Sequence, residues 1–494
     1  MAISFNSIPN NIRIPFVAVE FSSSQANQGS ALLAYRALLI GQKLAGGSAT
    51  ADTVVRATSV ADVIALAGRG SMLHRQAIGW FAINKSTELW LGVLADNGAG
   101  VAATGTIVVT GPATADGTIV LYLGGVRVTV GVTNGQASTA IATNIAAAIN
   151  AASDLPVTAG VASSTVTLTF RHKGLVGNSF DVRANFNPGE VLPAGVGLTI
   201  TALGGVTAGT TNPTLTNLIA GMSDLWFQVW AHPYTDATSL TAIETELASR
   251  LGPMRSIDGL AITSASGSFS TLATLGQGRN SPSSVIVAQP GATPLTPPME
   301  FGAEVAALVA LNGQADPARH FATLAMSNAI APAETDQFDP VSERNLLLFD
   351  GIATTRRGPG GVVLLDRIVT TYQLNASGQA DTAYLDATTP LTLLYVRFDF
   401  RSRFTTKYAR HKLADDGTRF GSGQAVMTPS LGRAEALTWF RDNEALGLLQ
   451  NFDLFKANLV VERNATDRNR LDFLLPPGLM NNLIVVGAQI QFRQ

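Results

Sequence analysis

The chain carries five histidines, His74, His172, His232, His320 and His411, and no cysteine. Without thiols, disulfides, thiolate nucleophiles and Cys-ligated metals are excluded. No two histidines lie at the short spacings that put two imidazoles on one metal. They read as solitary structural or surface rings. There is no Walker A loop, no Gly-x-Ser-x-Gly elbow and no HExxH helix. His411-Lys412-Leu413-Ala414-Asp415-Asp416-Gly417 sets a ring near two carboxylates, yet reads better as a basic helix end running into an Asp-Gly turn. Gly421-Ser422-Gly423 and Gly358-Pro359-Gly360-Gly361 read as turns rather than phosphate cradles. The basic stretch Arg397, Arg401, Arg403, Lys407, Arg410, His411 and Lys412 could meet nucleic acid. It lacks a wider basic field and reads as a solvated or intersubunit face. No catalytic residue, cofactor site or metal site emerges.

Composition points the same way. The 494 residues include 33 basic and 35 acidic ones, a net charge of −2, so no polyelectrolyte partner is implied. Charged residues make up 14% and hydrophobic ones 46%, whereas about 25% charged is usual. The first residues, Met1-Ala2-Ile3-Ser4-Phe5, have no basic or apolar leader pattern. No apolar run reaches the roughly 18 residues of a membrane helix. The excess hydrophobicity must be buried in the fold or between subunits. Charge is also uneven. Residues 97–212 hold four basic and four acidic side chains, against 18 and 15 from Val341 to the end.

The elements divide accordingly. Leu38-Leu39-Ile40 is a short strand, Ser59 caps a helix with Asp62 three residues on, and Ser71 to Asn84 is a second helix. Leu89 to Leu94 is a buried strand. In the charge-poor segment, Thr106–Thr110, Thr118–Leu123, Arg127–Val132 and Thr165–Phe170 read as strands around one helix, Ser138 to Ala151, with Ile141, Ile145 and Ile149 on one face. After it, Trp226–Trp230, Ile257–Ile262 and Ser284–Ala288 read as strands. A helix capped by Asp236 buries Leu240, Ile243, Leu247 and Leu251. Another follows Pro297-Pro298 with Phe301, Val305 and Leu308 inward. Strand and helix alternate on both sides of the charge-poor segment, which marks an insertion into an α/β layer. Later come a strand over Val362–Gln373, a long helix opening near Pro390, a helix from Ser430 to Leu446, and strands at Ala457–Arg463 and Arg470–Leu475. The fold class is α/β and α+β multidomain: a discontinuous α/β core, an inserted β-rich domain and extended terminal arms. The expected divisions are 1–20 (arm), 21–96 (core), 97–205 (insertion), 206–343 (core), 344–477 (C-terminal α+β domain) and 478–494 (arm).

Both ends look extended. Ile12, Ile14 and Phe16 alternate up to Pro15, and the phase then slips to Val17, Val19 and Phe21, as a bulge would cause. At the other end Ile484, Val486, Ala488, Ile490 and Phe492 share one face of a strand. Each could pack in its own domain or add to the sheet edge of a neighbour, with alternate side chains filling pockets.

The opening Ser4-Phe5-Asn6-Ser7-Ile8-Pro9-Asn10-Asn11-Ile12-Arg13-Ile14-Pro15-Phe16 resembles the start of tail sheath proteins of Mu-like contractile-tailed phages. So do Asp381 to Asp386, Tyr408 to Gly417, and Phe455-Lys456 through Asn464. The resemblance implies a structural virion protein rather than an enzyme. Its subunits would polymerise as stacked six-fold rings around a tail tube, with baseplate and tail terminator proteins as further partners and assembly in the host cytoplasm. The mesh would be knitted by strand exchange, and contraction would drive the tube through the host envelope without nucleotide hydrolysis. It makes Ile12, Ile14, Phe16, Val17 and Val19 the N-terminal arm set, and Ile484, Val486, Ile490 and Phe492 the C-terminal one. A late helix would face the tube, with Arg433 and Arg441 as its cations. The alternatives are an α/β hydrolase with a β-rich accessory domain, disfavoured by the missing nucleophile motif, and a surface or adhesin-like binding protein, disfavoured by the missing leader.

Overall fold

A computed structural model of the chain describes residues 33–493. The expected N-terminal arm set, Ile12 to Val19, lies outside the described residues. Those described form two compact units. The larger holds 34–395, 443–451 and 477–493, and the smaller 396–442 and 452–476.

The larger unit begins with strands β1 (Arg36–Gln42) and β2 (Thr53–Ala57), helices α1 (Val60–Ala67) and α2 (Met72–Ile83), and strand β3 (Glu88–Leu94). The helix starts are set by serines. Ser59 Oγ accepts from the Asp62 amide and Ser71 Oγ from the His74 amide, filling donors that the first turn leaves open. Next comes the charge-poor segment: β4 (Ala102–Thr110), β5 (Gly117–Leu123), β6 (Val126–Val132), α3 (Ser138–Ala151), β7 (Val157–Ala162), β8 (Thr165–Lys173), β9 (Val182–Ala184) and β10 (Gly197–Thr201). Its strands make a four-stranded sheet, β10-β4-β8-β7, and a three-stranded one, β6-β5-β9. Alternate residues of β4, β6 and β8 point inward, and they share one core with Ile141, Ile145 and Ile149 of α3. The period-2 pattern thus selects one buried face.

The chain then returns through α4 (Thr216–Met222), β11 (Val229–Ala231), α5 (Ala237–Leu251), β12 (Leu260–Ala265), α6 (Phe269–Gln277), β13 (Ser284–Ala288), α7 (Pro298–Ala315), β14 (Ala325–Ile330), α8 (Asn345–Phe349), β15 (Ile352–Arg357) and β16 (Val362–Arg367). A nine-stranded sheet results, in the order β14-β16-β15-β13-β12-β11-β1-β3-β2. Six strands, β3-β1-β11-β12-β13-β15, run parallel. Both faces are covered, as parallel strands require. Ala37 and Leu39 pack toward Trp80 and the apolar side of α7, whereas Leu38 and Ile40 pack toward Trp230, Ile243 and Leu247.

The remaining elements are α9 (Thr388–Lys407), β17 (Lys412–Leu413), β18 (Val426–Met427), α10 (Pro429–Ala445), β19 (Leu449–Gln450), α11 (Phe452–Asn458), β20 (Val460–Arg463), β21 (Leu471–Leu474) and β22 (Gly478–Leu479). In the smaller unit an aromatic cluster joins helix to hairpin. Phe400 stands edge-on to Trp439 at 5.3 Å and to Phe473 at 5.4 Å, and Phe440 stacks on Phe455 at 4.4 Å.

Four expected elements differ, and the strand expected at Ile257–Ile262 runs instead over Leu260–Ala265. The strand expected at Ala457–Arg463 begins only at Val460, because Phe452–Asn458 is helical and buries Phe455. The strand expected over Val362–Gln373 ends at Arg367. Beyond it the Thr370 and Thr371 hydroxyls donate to the Tyr384 and Ser281 carbonyls, which turns the chain out of the ladder. The strand expected at Trp226–Trp230 pairs only over Val229–Ala231, since the Gln228 side chain takes the Arg36 amide instead.

Two carboxylates lie buried between α2 and α7. Glu300 accepts two bonds from Arg75, at 2.6 and 2.8 Å. One turn on, Glu304 has no cation of its own and accepts from the Asn328 amide of β14 at 3.0 Å. Removing one partner of a buried pair leaves an uncompensated charge. R75M should therefore cost about 3–5 kcal/mol in urea unfolding, and adding E300L should recover most of it. Burial raises Glu304 from its ordinary 4.5 to about 7. A carboxyl raised in the fold contributes its stability at low pH and loses it as pH climbs through about 7. E304Q should reduce the stability difference between pH 5 and pH 8 by roughly 3 kcal/mol, measured by urea unfolding at both.

Candidate assembly surface

The last ladder of the larger unit is short. β19 pairs antiparallel with β22, the Gln450 amide side chain donates to the Leu479 carbonyl at 2.7 Å, and the Met480 amide donates to the Leu448 carbonyl at 2.9 Å. Asn482 then bonds the Thr388 hydroxyl at 2.8 Å. From Leu483 to Arg493 the chain belongs to no helix or strand, and every residue is exposed. Ile490 and Phe492 are 89% and 83% exposed, and Val486 is 76%. Ile484 is the least exposed of the expected C-terminal set, at 39%. Burying such side chains is worth about 1.5–3 kcal/mol each. A contiguous apolar run left in water marks a contact surface. The alternation places Ile484, Val486, Ala488, Ile490 and Phe492 on one side. Leu483 and Val485 add to the other side before Gln489 and Gln491 end it.

The two expected tube-facing arginines are both engaged within the smaller unit. Arg433, half-buried on α10, donates to the carbonyls of Lys456, at 2.6 Å, and Leu459. It thereby satisfies acceptors that the end of α11 leaves open. Arg441 is exposed, with its guanidinium carbon 3.3 Å from the Phe452 ring centroid. The basic stretch of α9 is partly neutralised. Arg403 pairs with Asp399 at 3.2 Å and Asp442 at 2.6 Å, and Lys407 with Glu435 at 2.9 Å. Asp416 caps α10 through the Ser430 amide and hydroxyl, and Asp415 pairs with Arg463. Those two carboxylates therefore serve the helix start and an ion pair. Among the described residues no three His, Asp or Glu side chains group as metal ligands.

The histidines are less solitary than their spacing suggests. His232 is buried with neither ring nitrogen hydrogen-bonded. His74 and His172, 98 positions apart in the chain, both reach the start of α2. His172 Nε2 accepts from the Met72 amide at 3.0 Å and Nδ1 meets Asp96 at 2.9 Å. Asp96 also accepts from Gln42 Nε2 at 2.7 Å. Spacing could not reveal this group. The available signal was positional, since Asp96 and Lys173 flank the ends of strands bordering the insertion.

Two family models match the chain: the phage tail sheath protein central domain over residues 208–371 and the phage tail sheath C-terminal domain over 379–493. The Mu-like prophage FluMu tail sheath protein of Haemophilus influenzae is 36% identical over 492 residues, covering 100% of both chains. The chain belongs to the phage tail sheath protein family. The expectation drawn from its opening and closing residues, a sheath subunit of a contractile tail, is met. Among solved structures, the sheath tail protein of Desulfitobacterium hafniense is 13% identical with a TM-score of 0.49, over 94% of this chain and 100% of that one. A chain of the contracted anti-feeding prophage baseplate is 11% identical with a TM-score of 0.48, over 98% and 100%.

Because Ile490 and Phe492 are 89% and 83% exposed in their own subunit, I490D/F492D should leave the unfolding free energy of the unassembled chain within about 0.5 kcal/mol, measured by urea unfolding. A loss of several kcal/mol would place these side chains in the subunit's own core.

Proposed function

We propose that this chain is the repeating unit of stacked six-fold rings around a tail tube, linked by strands exchanged between neighbouring copies. The observation that carries the reading is the apolar segment Leu483–Phe492, which follows the last ladder and has no strand partner among the described residues. A segment of this kind gains main-chain hydrogen bonds and apolar burial together when it adds to the open edge of another sheet. The two-stranded β20–β21 ladder, with Val460 and Leu474 exposed, offers such an edge on a neighbouring copy. Residues 1–20 would supply a second link. Contraction would be a relaxation between two packings of one subunit, a bistable assembly. The links would hold while the subunits slide, and no nucleotide would be consumed. The charge-poor insertion would face outward. Arg433 and Arg441 would stand on the helix nearest the tube, their polar contacts within the smaller unit fixing its face. The tube, baseplate and tail terminator proteins would be its partners in the virion, with assembly in the host cytoplasm.

Negative-stain electron microscopy of the purified chain should show long tubes with six-fold end views. I490D/F492D should abolish the tubes while circular dichroism stays native, because charges would be forced into apolar pockets of a neighbour. Deleting residues 1–20 should act likewise. Normal long tubes from either variant would remove that arm from the reading.

A further inference from the structure

An asparagine followed by glycine can react with its own main chain. Glycine has no Cβ to keep its nitrogen away from the preceding side chain, so that nitrogen can close a five-membered imide on the asparagine Cγ. The chain has three such pairs, Asn97-Gly98, Asn134-Gly135 and Asn312-Gly313, and the fold treats them differently. Asn312 and Gly313 lie in the last turns of α7, with Gly313 buried and Asn312 Nδ2 donating to the Leu308 carbonyl at 2.8 Å. A helical N–H points along the axis toward the carbonyl four residues back, away from the side chain that precedes it. Asn134-Gly135 is exposed in the turn after β6, but the Gly135 amide donates to the Ala113 carbonyl at 2.8 Å. Asp116 accepts from the Asn134 amide at 2.7 Å, so a carboxylate stands where the attack would build negative charge.

Asn97-Gly98 is the open pair. It lies in the turn between β3 and β4, where Gly98 is exposed and a Cβ on it would meet nothing within 4 Å. Among the described residues no carbonyl or side chain takes the Gly98 amide. The carboxamide is already folded over its own backbone, since Asn97 Oδ1 accepts from the Ala99 amide at 3.0 Å. That donor stays on the oxygen as the attack turns it into an oxyanion. Lys173 Nζ donates to the Gly98 carbonyl at 3.2 Å, so a cation stands beside the peptide next to the nucleophile. Asp96 is the carboxylate on the other side, and its oxygens are occupied by His172, Gln42 Nε2 and the Lys173 amide.

We propose that Asn97 is a self-modification site, at which the fold directs conversion to aspartate and isoaspartate ahead of the other two Asn-Gly pairs. The Gly98 nitrogen gives its proton to solvent and attacks Asn97 Cγ. The Cγ–Nδ2 bond breaks and ammonia leaves. Water then opens the succinimide at one carbonyl or the other, giving aspartate or isoaspartate. One water is consumed and one ammonia released, with no oxidant or reductant. Asn97 Nδ2 donates to the Asn212 carbonyl at 3.2 Å, so the product sets a carboxylate against that carbonyl. Residues 97–212 hold four basic and four acidic side chains, and the product makes that four against five, a net charge of −1. Every group named lies within one subunit, so this inference does not rest on strand exchange.

The full-length chain is aged in mildly alkaline buffer at a fixed temperature, and its proteolytic peptides are followed by mass spectrometry and by enzymatic methylation of isoaspartate. Asn97 should convert first. Asn134 should lag by about 2- to 10-fold, because its Gly135 bond must open before attack, and Asn312 should lag further. K173Q should slow Asn97 by about 2- to 5-fold, and K173R should restore the rate. G98A should stop nearly all of the conversion with the circular dichroism unchanged, since the new methyl shields the nitrogen. In concentrated guanidinium, where the fold no longer separates them, the three pairs should react alike. Asn134 or Asn312 converting as fast as Asn97 in the folded chain overturns the site, and so does an order that survives guanidinium unchanged. A K173Q rate equal to that of the parent chain overturns the role given to Lys173.

Discussion

The pairing of β1 with two parallel neighbours is the constraint on which the rest of the subunit depends. β3 takes one edge in a register running from Arg36–Glu88 to Gln42–Leu94, and β11 takes the other across Ala37–Val229 to Leu39–Ala231. A parallel neighbour cannot be reached by a hairpin. The chain must cross over a face of the sheet each time, and those crossovers are the helices that bury it. Because β1 is flanked by strands from both sides of the insertion, the core cannot close until the segment after residue 212 has returned. The insertion leaves from the carboxyl end of β3 and is therefore held near that end of the sheet, where Gln42, Asp96 and the start of α2 meet it.

The shortage of charge follows from this arrangement. A sheet covered on both faces, together with an insertion whose own core runs from Ile107 to Leu203, requires long apolar stretches with few charged positions. The charges that do enter the interior come with partners. Arg250 is fully buried, but its guanidinium donates to Glu246 and to the Ser223 and Leu225 carbonyls and lies over Trp230. Glu304 is held by amide bonds rather than a cation, and burial accordingly keeps its proton near neutrality.

Local signals in the sequence were sufficient wherever local physics decides. The 3/4 spacing of Leu240, Ile243 and Leu247 gave α5 its buried face, and Ser59, Ser71 and Asp236 cap their helices as their types suggest. Helix α3 has the span its isoleucines indicate. Distance in the chain hid the rest. The apolar residues of Ala457–Arg463 suit a strand, and only the reach of Arg433 from α10 shows that a helix end lies there. The Arg75–Glu300 pair spans 225 positions and the His172–Met72 bond spans 100. Neither leaves a pattern in a window of residues. For the candidate assembly surface, the alternation of Ile484 to Phe492 was legible. That it has no strand partner among the described residues is a property of the folded chain.

One detail of the nine-stranded sheet bears on how such subunits can multiply. β14 is its terminal strand, and side chains already occupy two of its amides, Glu304 on Asn328 and the Thr296 hydroxyl on Ile330. An arriving chain would have to displace a carboxylate and a hydroxyl before it could pair there. Pairing is thus opposed at those two positions of that border. A border blunted in this way adds a further strand less readily than an open one, so growth of the sheet is steered away from it.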